Sequence, residues 1–322
     1  MSRYILKRIF HMIPVMFGVS LIIFTLMFFI PGDPARQILG DKATEASISE
    51  LRAELGLDKP FVVQYVNYIE GVLTGDFGIS YTTKQPVSAE LFARFPTTLL
   101  FAIISILVAC IIGIPLGIIS ATRQYSFIDN ISTTLTLLGM SIPSFWLGLM
   151  LMLLFSLHLG WFPATGFYGP KYWVLPSVTI GVTSAAFITR MTRSSMLEVI
   201  RQDYIRTARS KGQTEFKIIT KHALKNAMIP VVTTIGLIFG ASLGGQIITE
   251  QVFSIPGLGK LMIDAISQRN YPVVEGGVLL IAFSFTVINL LVDLIYAYID
   301  PRIKSQFVIE KKKKESTALK GM

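Results

Sequence analysis

The chain has 322 residues, 52% of them hydrophobic and only 15% charged, with a net charge of +9 and a mean hydropathy of +0.60. A soluble domain carries about 25% charged residues, so this composition excludes a soluble enzyme. The basic residues lie between long apolar runs and not on one soluble face, which argues against a nucleic-acid partner. With Cys110 as the single cysteine, an intrachain disulfide and a thiolate zinc site are both excluded, and His11, His158 and His222 are too scattered for a local metal motif.

Crossing a bilayer takes roughly 20 apolar helical residues. In chain order, residues 9–30, 98–119, 131–157, 172–189, 227–249 and 276–299 meet that requirement, so six membrane-spanning helices are predicted. The third run is long enough to tilt. The fourth is shortest and diluted by Pro176, Ser177, Thr179, Thr183 and Ser184, as expected of a helix inside a bundle. Arg3, Lys7 and Arg8 precede the first run like a signal peptide's basic region, but the run is too long and no small-x-small cleavage site follows it, so it reads as a retained anchor.

An even number of spans puts both termini on one side. With the termini inside, the inner segments hold 20 of the 29 Lys and Arg residues and the outer segments 9. The positive-inside rule then places both ends in the cytoplasm. Residues 31–97 become an extracytoplasmic insertion with 9 Asp/Glu against 6 Lys/Arg. In it Val62, Val66, Ile69 and Leu73 recur at helical spacing, with Tyr65 and Val72 beside them, predicting a short amphipathic helix that caps the membrane domain. It could be a structural lid or a docking surface. Lys311 to Lys314 make the tail basic, as for an inner-leaflet contact. Three regions follow: residues 1–97, the first helix plus the insertion; 98–299, a five-helix core with a cytoplasmic loop at 193–226; and 300–322, the tail.

Three motifs suggest chemistry. Gly240-Ala241-Ser242-Leu243-Gly244 matches G-x-S-x-G, but that motif needs a strand-to-helix turn, and here it lies within an apolar helix. Gly236, Gly240 and Gly244 recur every four residues, which suits a smooth helix-packing face better than a serine nucleophile. Gly113 and Gly117 read the same way. Gly257-Leu258-Gly259-Lys260 resembles the end of a P-loop, yet Ser254 and Leu261 replace the residues that a P-loop requires. Asp293 is the one carboxylate within a span, with Asn289 one turn away. Interhelical hydrogen bonding is the favoured role for this pair, with proton coupling as the rival.

The stretch 193–226 is the most informative. Met196, Ile200, Tyr204 and Ala208 form one apolar stripe, Phe216, Ile219, Ala223 and Ala227 another, and Lys217, Lys221 and Lys225 a basic row. Gly212 separates two helical patterns, as a residue with positive φ would. Such helices could lie on lipid or enter a groove on a cytosolic partner.

The residues Asp203-Tyr204-Ile205-Arg206-Thr207-Ala208-Arg209-Ser210-Lys211-Gly212, followed by Lys221-His222-Ala223-Leu224-Lys225-Asn226-Ala227, resemble the coupling loop of ABC-importer permeases. The resemblance is closest to the first membrane subunit of the dipeptide/oligopeptide/nickel family (oligopeptide-permease B-like). Pro31-Gly32-Asp33-Pro34, Gly75-Asp76-Phe77-Gly78, Arg193-Ser194-Ser195-Met196, Phe253-Ser254-Ile255-Pro256-Gly257-Leu258-Gly259 and Tyr271-Pro272-Val273-Val274 extend it over nearly the whole chain. It implies an all-α polytopic membrane protein, a type I ABC-importer permease (MetI-like) bundle in a bacterial or archaeal plasma membrane. It further implies a homologous second permease, two cytosolic ATP-binding subunits and an extracytoplasmic substrate-binding protein. ATP-Mg would sit on partner subunits, with no catalytic site or cofactor on this chain. Arg206, Thr207, Ala208, Gly212 and Leu224 would form the ATPase-coupling loop, Ala208 facing the ATPase groove. Di- or oligopeptides are the expected cargo. The rivals are a self-contained secondary carrier using Asp293 and, third, an intramembrane hydrolase using Ser242.

Overall fold

The computed structural model describes residues 2–40 and 43–299, so the basic tail lies outside the described residues. The described chain is almost wholly helical. α1 (Ser2–Phe29) is followed by the insertion helices α2 (Pro34–Leu39), α3 (Glu45–Glu54) and α4 (Phe61–Thr74). The core comprises α5 (Val87–Thr122), α6 (Phe127–Ser141), α7 (Ser144–Leu151), α8 (Pro170–Ile200), α9 (Asp203–Ser210), α10 (Glu215–Lys217), α11 (Leu224–Gly245), α12 (Ile247–Val252), α13 (Leu258–Ser267) and α14 (Tyr271–Ile299). Two π-helical stretches, Met152–His158 and Ile218–Ala223, extend α7 and lead into α11.

Among the described residues, five helical stretches are long and apolar enough to span a membrane, or six with one bent pair counted as a span. That pair is the third predicted run. Instead of one tilted helix, α6 and the α7 segment meet at 102°. The cause is local: Ile142 precedes Pro143 and is forced into an extended conformation, ending α6. The fourth run lengthens into α8, a 31-residue helix whose Ser177, Thr179, Thr189 and Thr192 are buried. Its polar dilution is thus interior surface.

α5 and α8 form the central pair. They approach through glycine: a Cβ on Gly113 would lie 2.8 Å from the Ala185 carbonyl oxygen, and one on Gly117 would lie 2.8 Å from that of Thr189. Ala109, Ala185, Ile188 and Val231 fill the seam between these helices and α11. α11 then packs on α14 through the predicted glycine face, Gly236 against Val292, Gly240 against Phe285 and Gly244 against Ile281.

α4 packs through a face rotated from the expected stripe, of which Tyr65, Ile69 and Val72 are half-buried. Val62, Val66 and Leu73 point outward, Leu73 being 82% exposed, whereas an aromatic row packs on α1. Phe61 lies 5.1 Å from Phe28, Tyr68 stacks on Phe24 at 5.3 Å, and Tyr65 meets Phe17 at 6.2 Å between ring centroids. Ring area outweighs the narrower aliphatic stripe in choosing the packed side. The insertion is pinned to the α13–α14 turn by Asn270, which accepts from the Tyr81 backbone N–H at 3.0 Å and donates to Ser80 at 2.8 Å.

The glycine loop at 257–260 cradles an internal anion. Buried Glu250 accepts from Thr98 at 2.7 Å and from the Lys260 N–H at 3.0 Å, while the Leu258 N–H donates to Thr98 at 2.7 Å. The start of α13 thus directs its free N–H groups at a carboxylate and its hydroxyl partner. A Cβ on Gly257 would come within 2.5 Å of the Glu250 carboxylate, which explains the glycine without any nucleotide.

At the opposite end, Asp129 is 2% exposed and receives a forked pair from Arg193, Nε at 2.8 Å and Nη2 at 2.9 Å. The Ser120 hydroxyl donates to the same carboxylate, and the Tyr125 N–H reaches it at 2.9 Å. One carboxylate thereby locks α5, the α5–α6 turn and α8 together. Arg193→Ala should strand Asp129 as a buried charge and cost about 3–5 kcal/mol. Arg193→Lys should fall in between, since an ammonium cannot fork. Thermal unfolding in detergent checks the order; equal stability of all three proteins would show that the clasp carries no load.

Candidate functional site

Beyond the clasp, α8 ends at Ile200 and the chain folds into a short hairpin before re-entering the bundle as α11. Gln202 adopts an extended conformation and starts α9. α9 ends in a Schellman motif: the Gly212 N–H bonds the Arg209 carbonyl at 2.9 Å and the Gln213 N–H that of Ala208 at 3.4 Å. Gly212 has φ +71°, the left-handed conformation expected from the sequence. A Cβ there would meet no atom within 4 Å, so glycine is required by backbone conformation alone.

Three side-chain braces close the hairpin. Arg209 forks onto Glu215, Nε to Oε1 at 2.7 Å and Nη2 to Oε2 at 3.2 Å. The Arg209 hydrogen bond is the main cause holding the Glu215 carboxyl below its usual range. His222 Nε2 and Gln213 Oε1 lie 2.8 Å apart, and Asn226 donates to the Tyr204 hydroxyl at 2.7 Å. Beneath the braces, Met196, Ile205, Ala208, Ile218, Ala223 and Ala227 form one buried cluster with Ala121 of α5. The hairpin is therefore a packed unit continuous with the clasp.

The residues expected in this loop divide into two sets. Arg206 and Thr207 are exposed, Gly212 sits at the tip, and Leu224 is half-buried against the cluster. Ala208 is 8% exposed and faces inward to the hairpin cluster, whereas the groove-facing role expected of it needs an exposed side chain. Its missing bulk lets α9 lie on the π-helical stretch. The stripes also shift. Tyr204 and Phe216 lie outside, while Ile205 and Ile218 take the inner places. A helix break at residues 201–202 and the wider π turn at 218–223 each rotate the face relative to an unbroken α-helix. Phe216 is left 79% exposed, flanked by exposed Lys217 and Lys221.

The other candidates are placed as follows. Ser242 donates to the Ile238 carbonyl at 2.8 Å, and neither His158 nor His222 bonds to it, their ring nitrogens engaging the Leu153 carbonyl and Gln213. Asn289 is half-buried on α14, whereas the Asp293 side chain lies outside the described residues. Among the described residues no group of three or more His, Cys, Asp or Glu side chains could hold a metal ion. Sequence reasoning missed Asp129, whose only signal was a lone carboxylate beside the apolar run at 131–157.

Comparison with known proteins agrees with this architecture. Residues 113–305 match the family model described as binding-protein-dependent transport system inner membrane component, and residues 1–102 match the corresponding N-terminal family. The glutathione transport system permease protein GsiC of Salmonella choleraesuis (strain SC-B67) is 45% identical over 304 residues, 94% of this chain and 99% of the relative. GsiC of Escherichia coli (strain K12) is 44% identical over the same extent. Among solved structures, an inward-facing MetNI methionine ABC transporter aligns with a TM-score of 0.57 at 21% identity, covering 66% of this chain and 96% of the other. An amino acid ABC transporter with histidines aligns at 0.50 and 15%, covering 67% and 94%. These two share the fold, a MetI-like permease bundle. The chain belongs to the inner membrane components of binding-protein-dependent transport systems, and it is a multi-pass permease of the dipeptide/oligopeptide type.

Proposed function

We propose that this permease imports short peptides and that the α9–α10 hairpin is the seat on which an ATP-binding subunit sits. The full-length similarity to permeases named for glutathione, itself a tripeptide, supports the cargo class. One observation carries the docking role: a braced, internally packed hairpin holds a large aromatic side chain, Phe216, out into the open. An apolar ring on a rigid mount is the usual anchor of a protein contact. Arg206 and Thr207 flank this surface, Gly212 fixes its angle, and Ala208 and Leu224 support it from behind.

In this reading the chain forms half of a pore with a homologous second permease. Two ATP-binding subunits hold ATP-Mg and an extracytoplasmic protein delivers the cargo. This chain binds no cofactor and supplies mechanical coupling, with both termini in the cytoplasm. Closure of the ATP-binding pair pushes on the hairpin. The buried cluster and the Asp129–Arg193 clasp pass that push to α8 and α5, the central pair of the bundle. The comparisons favour this over a self-contained carrier.

The orientation is tested by cysteine labelling in intact cells. Ser47→Cys should react with an impermeant thiol reagent added outside, and Thr220→Cys should react only after permeabilisation; the reverse pattern would invert the protein.

The coupling role is tested in reconstituted complexes by the ATPase stimulation that loaded binding protein evokes. Gly212→Val strains the tip by about 1–2 kcal/mol without touching a neighbour, and Phe216→Asp removes the anchor. Both should insert normally yet lose most stimulation and uptake. Lys221→Glu should lose less. Ala208→Glu forces a charge into the buried cluster, so it should lower thermal stability as well. Full stimulation in both Gly212→Val and Phe216→Asp would move the docking face elsewhere.

A further inference from the structure

At the insertion end, a cavity of about 590 Å³ opens between α1, the insertion and the start of α14. That volume suits a small organic ligand. Phe24, Phe28, Tyr68, Phe77, Tyr81 and Tyr271 supply aromatic walls. Glu275, one turn into α14, lines the cavity and is half-buried, yet it makes no hydrogen bond or ion pair among the described residues. The Tyr68 and Tyr271 hydroxyls in the same wall are buried and also lack partners. Tyr68 and Tyr81 titrate well above the usual phenol range, chiefly through burial and next through the Glu275 charge, so they remain hydrogen-bond donors.

Other charges do not answer Glu275. Asp33 and Arg52 line the cavity but are paired with each other at 3.0 Å through the Arg52 Nε. Asp76 adds a further carboxylate, its Oδ1 accepting from the Gly78 N–H. Arg269 lies over Gly32 at the rim and forms no ion pair with Glu275. Three carboxylates therefore face two guanidiniums. A carboxylate partly withdrawn from water without a partner favours an incoming cation, and the aromatic faces around it attract cations as well.

We propose that this cavity binds a primary ammonium group borne on a molecule that also offers an acceptor oxygen. The ammonium pairs with Glu275 between the aromatic faces, and the oxygen accepts from the Tyr68 and Tyr271 hydroxyls. Two sources carry that chemistry: the headgroup of an aminophospholipid, with its phosphate oxygens, and the free amino terminus of a peptide, with its first carbonyl. Phe24, Met27 and Phe28 belong to the apolar run of α1, so a lipid in this position could lay its acyl chains along the same helix.

The test uses the chain purified with its permease and ATP-binding partners, without binding protein. In nanodiscs of mixed phosphatidylethanolamine and phosphatidylglycerol, native mass spectrometry should find phosphatidylethanolamine retained preferentially. Glu275→Gln should weaken that retention roughly tenfold, the scale of one charge-assisted contact, while Glu275→Asp keeps much of it. Tyr68→Phe and Tyr271→Phe should each weaken it less. A soluble source would appear instead as thermal stabilisation by alanyl-alanine but not by N-acetyl-alanyl-alanine, again lost in Glu275→Gln. Each variant must copurify with its partners as wild type does. If wild type and Glu275→Gln respond alike to both probes, the cavity holds water alone and the proposal fails.

Discussion

The bundle is organised by the contact of α5 with α8, in which backbone meets backbone. In a bilayer, apolar side chains gain little by leaving lipid for one another, so close packing and internal hydrogen bonds must hold helices together. Gly113 and Gly117 let α5 approach until Ala185 and Thr189 carbonyls fill the space a side chain would take. That approach brings Ser120 of α5 within 3.0 Å of Arg193 Nε and hence beside Asp129. The position of the clasp is thus a consequence of the glycine seam above it.

From the clasp onward, rigidity is handed along the chain. Arg193 is locked two turns before α8 ends, and Met196 enters the hairpin cluster just beyond it. The hairpin is therefore built from the last turns of α8, the whole of α9 and the π-helical entry to α11, with Ala121 of α5 as its floor. A loop assembled this way moves with α5 and α8 instead of bending between them. That property lets a push at the surface reach the bundle.

The apolar spans, the glycine faces and the positive φ of Gly212 were legible in the sequence because each depends on composition or on one residue's backbone freedom. What escaped depends on which of several possible faces wins. Val62, Val66 and Leu73 repeat as regularly as the aromatics of α4, and only the opportunity to stack on Phe24 and Phe28 selects the ring face. The resemblance implies that Ala208 faces an ATPase groove, but Ala208 joins Met196 in the buried cluster, and the break after Ile200 turns Tyr204 outward instead. The π turn at 218–223 leaves no mark in a 3.6-residue apolar period, because its extra residue per turn shifts the face only over one short stretch. Asp129 could have been suspected, since a carboxylate beside an apolar run needs a partner and Arg193 stood at the end of another.

Interior carboxylates are handled in two ways in this molecule. Asp129 and Glu250 are buried and saturated, one by a guanidinium with a hydroxyl and an N–H, the other by a hydroxyl and the N–H groups opening α13. Each joins segments distant in sequence, and removing its partners would leave a charge with no compensation. Glu275 is half-buried with no partner among the described residues, and it opens on a cavity instead of a helix interface. If its role were only to join helices, a partner would be expected on a facing helix, as the other two have. An unpaired carboxyl that faces a cavity is placed to meet a group from outside the chain, which is the role proposed for it above.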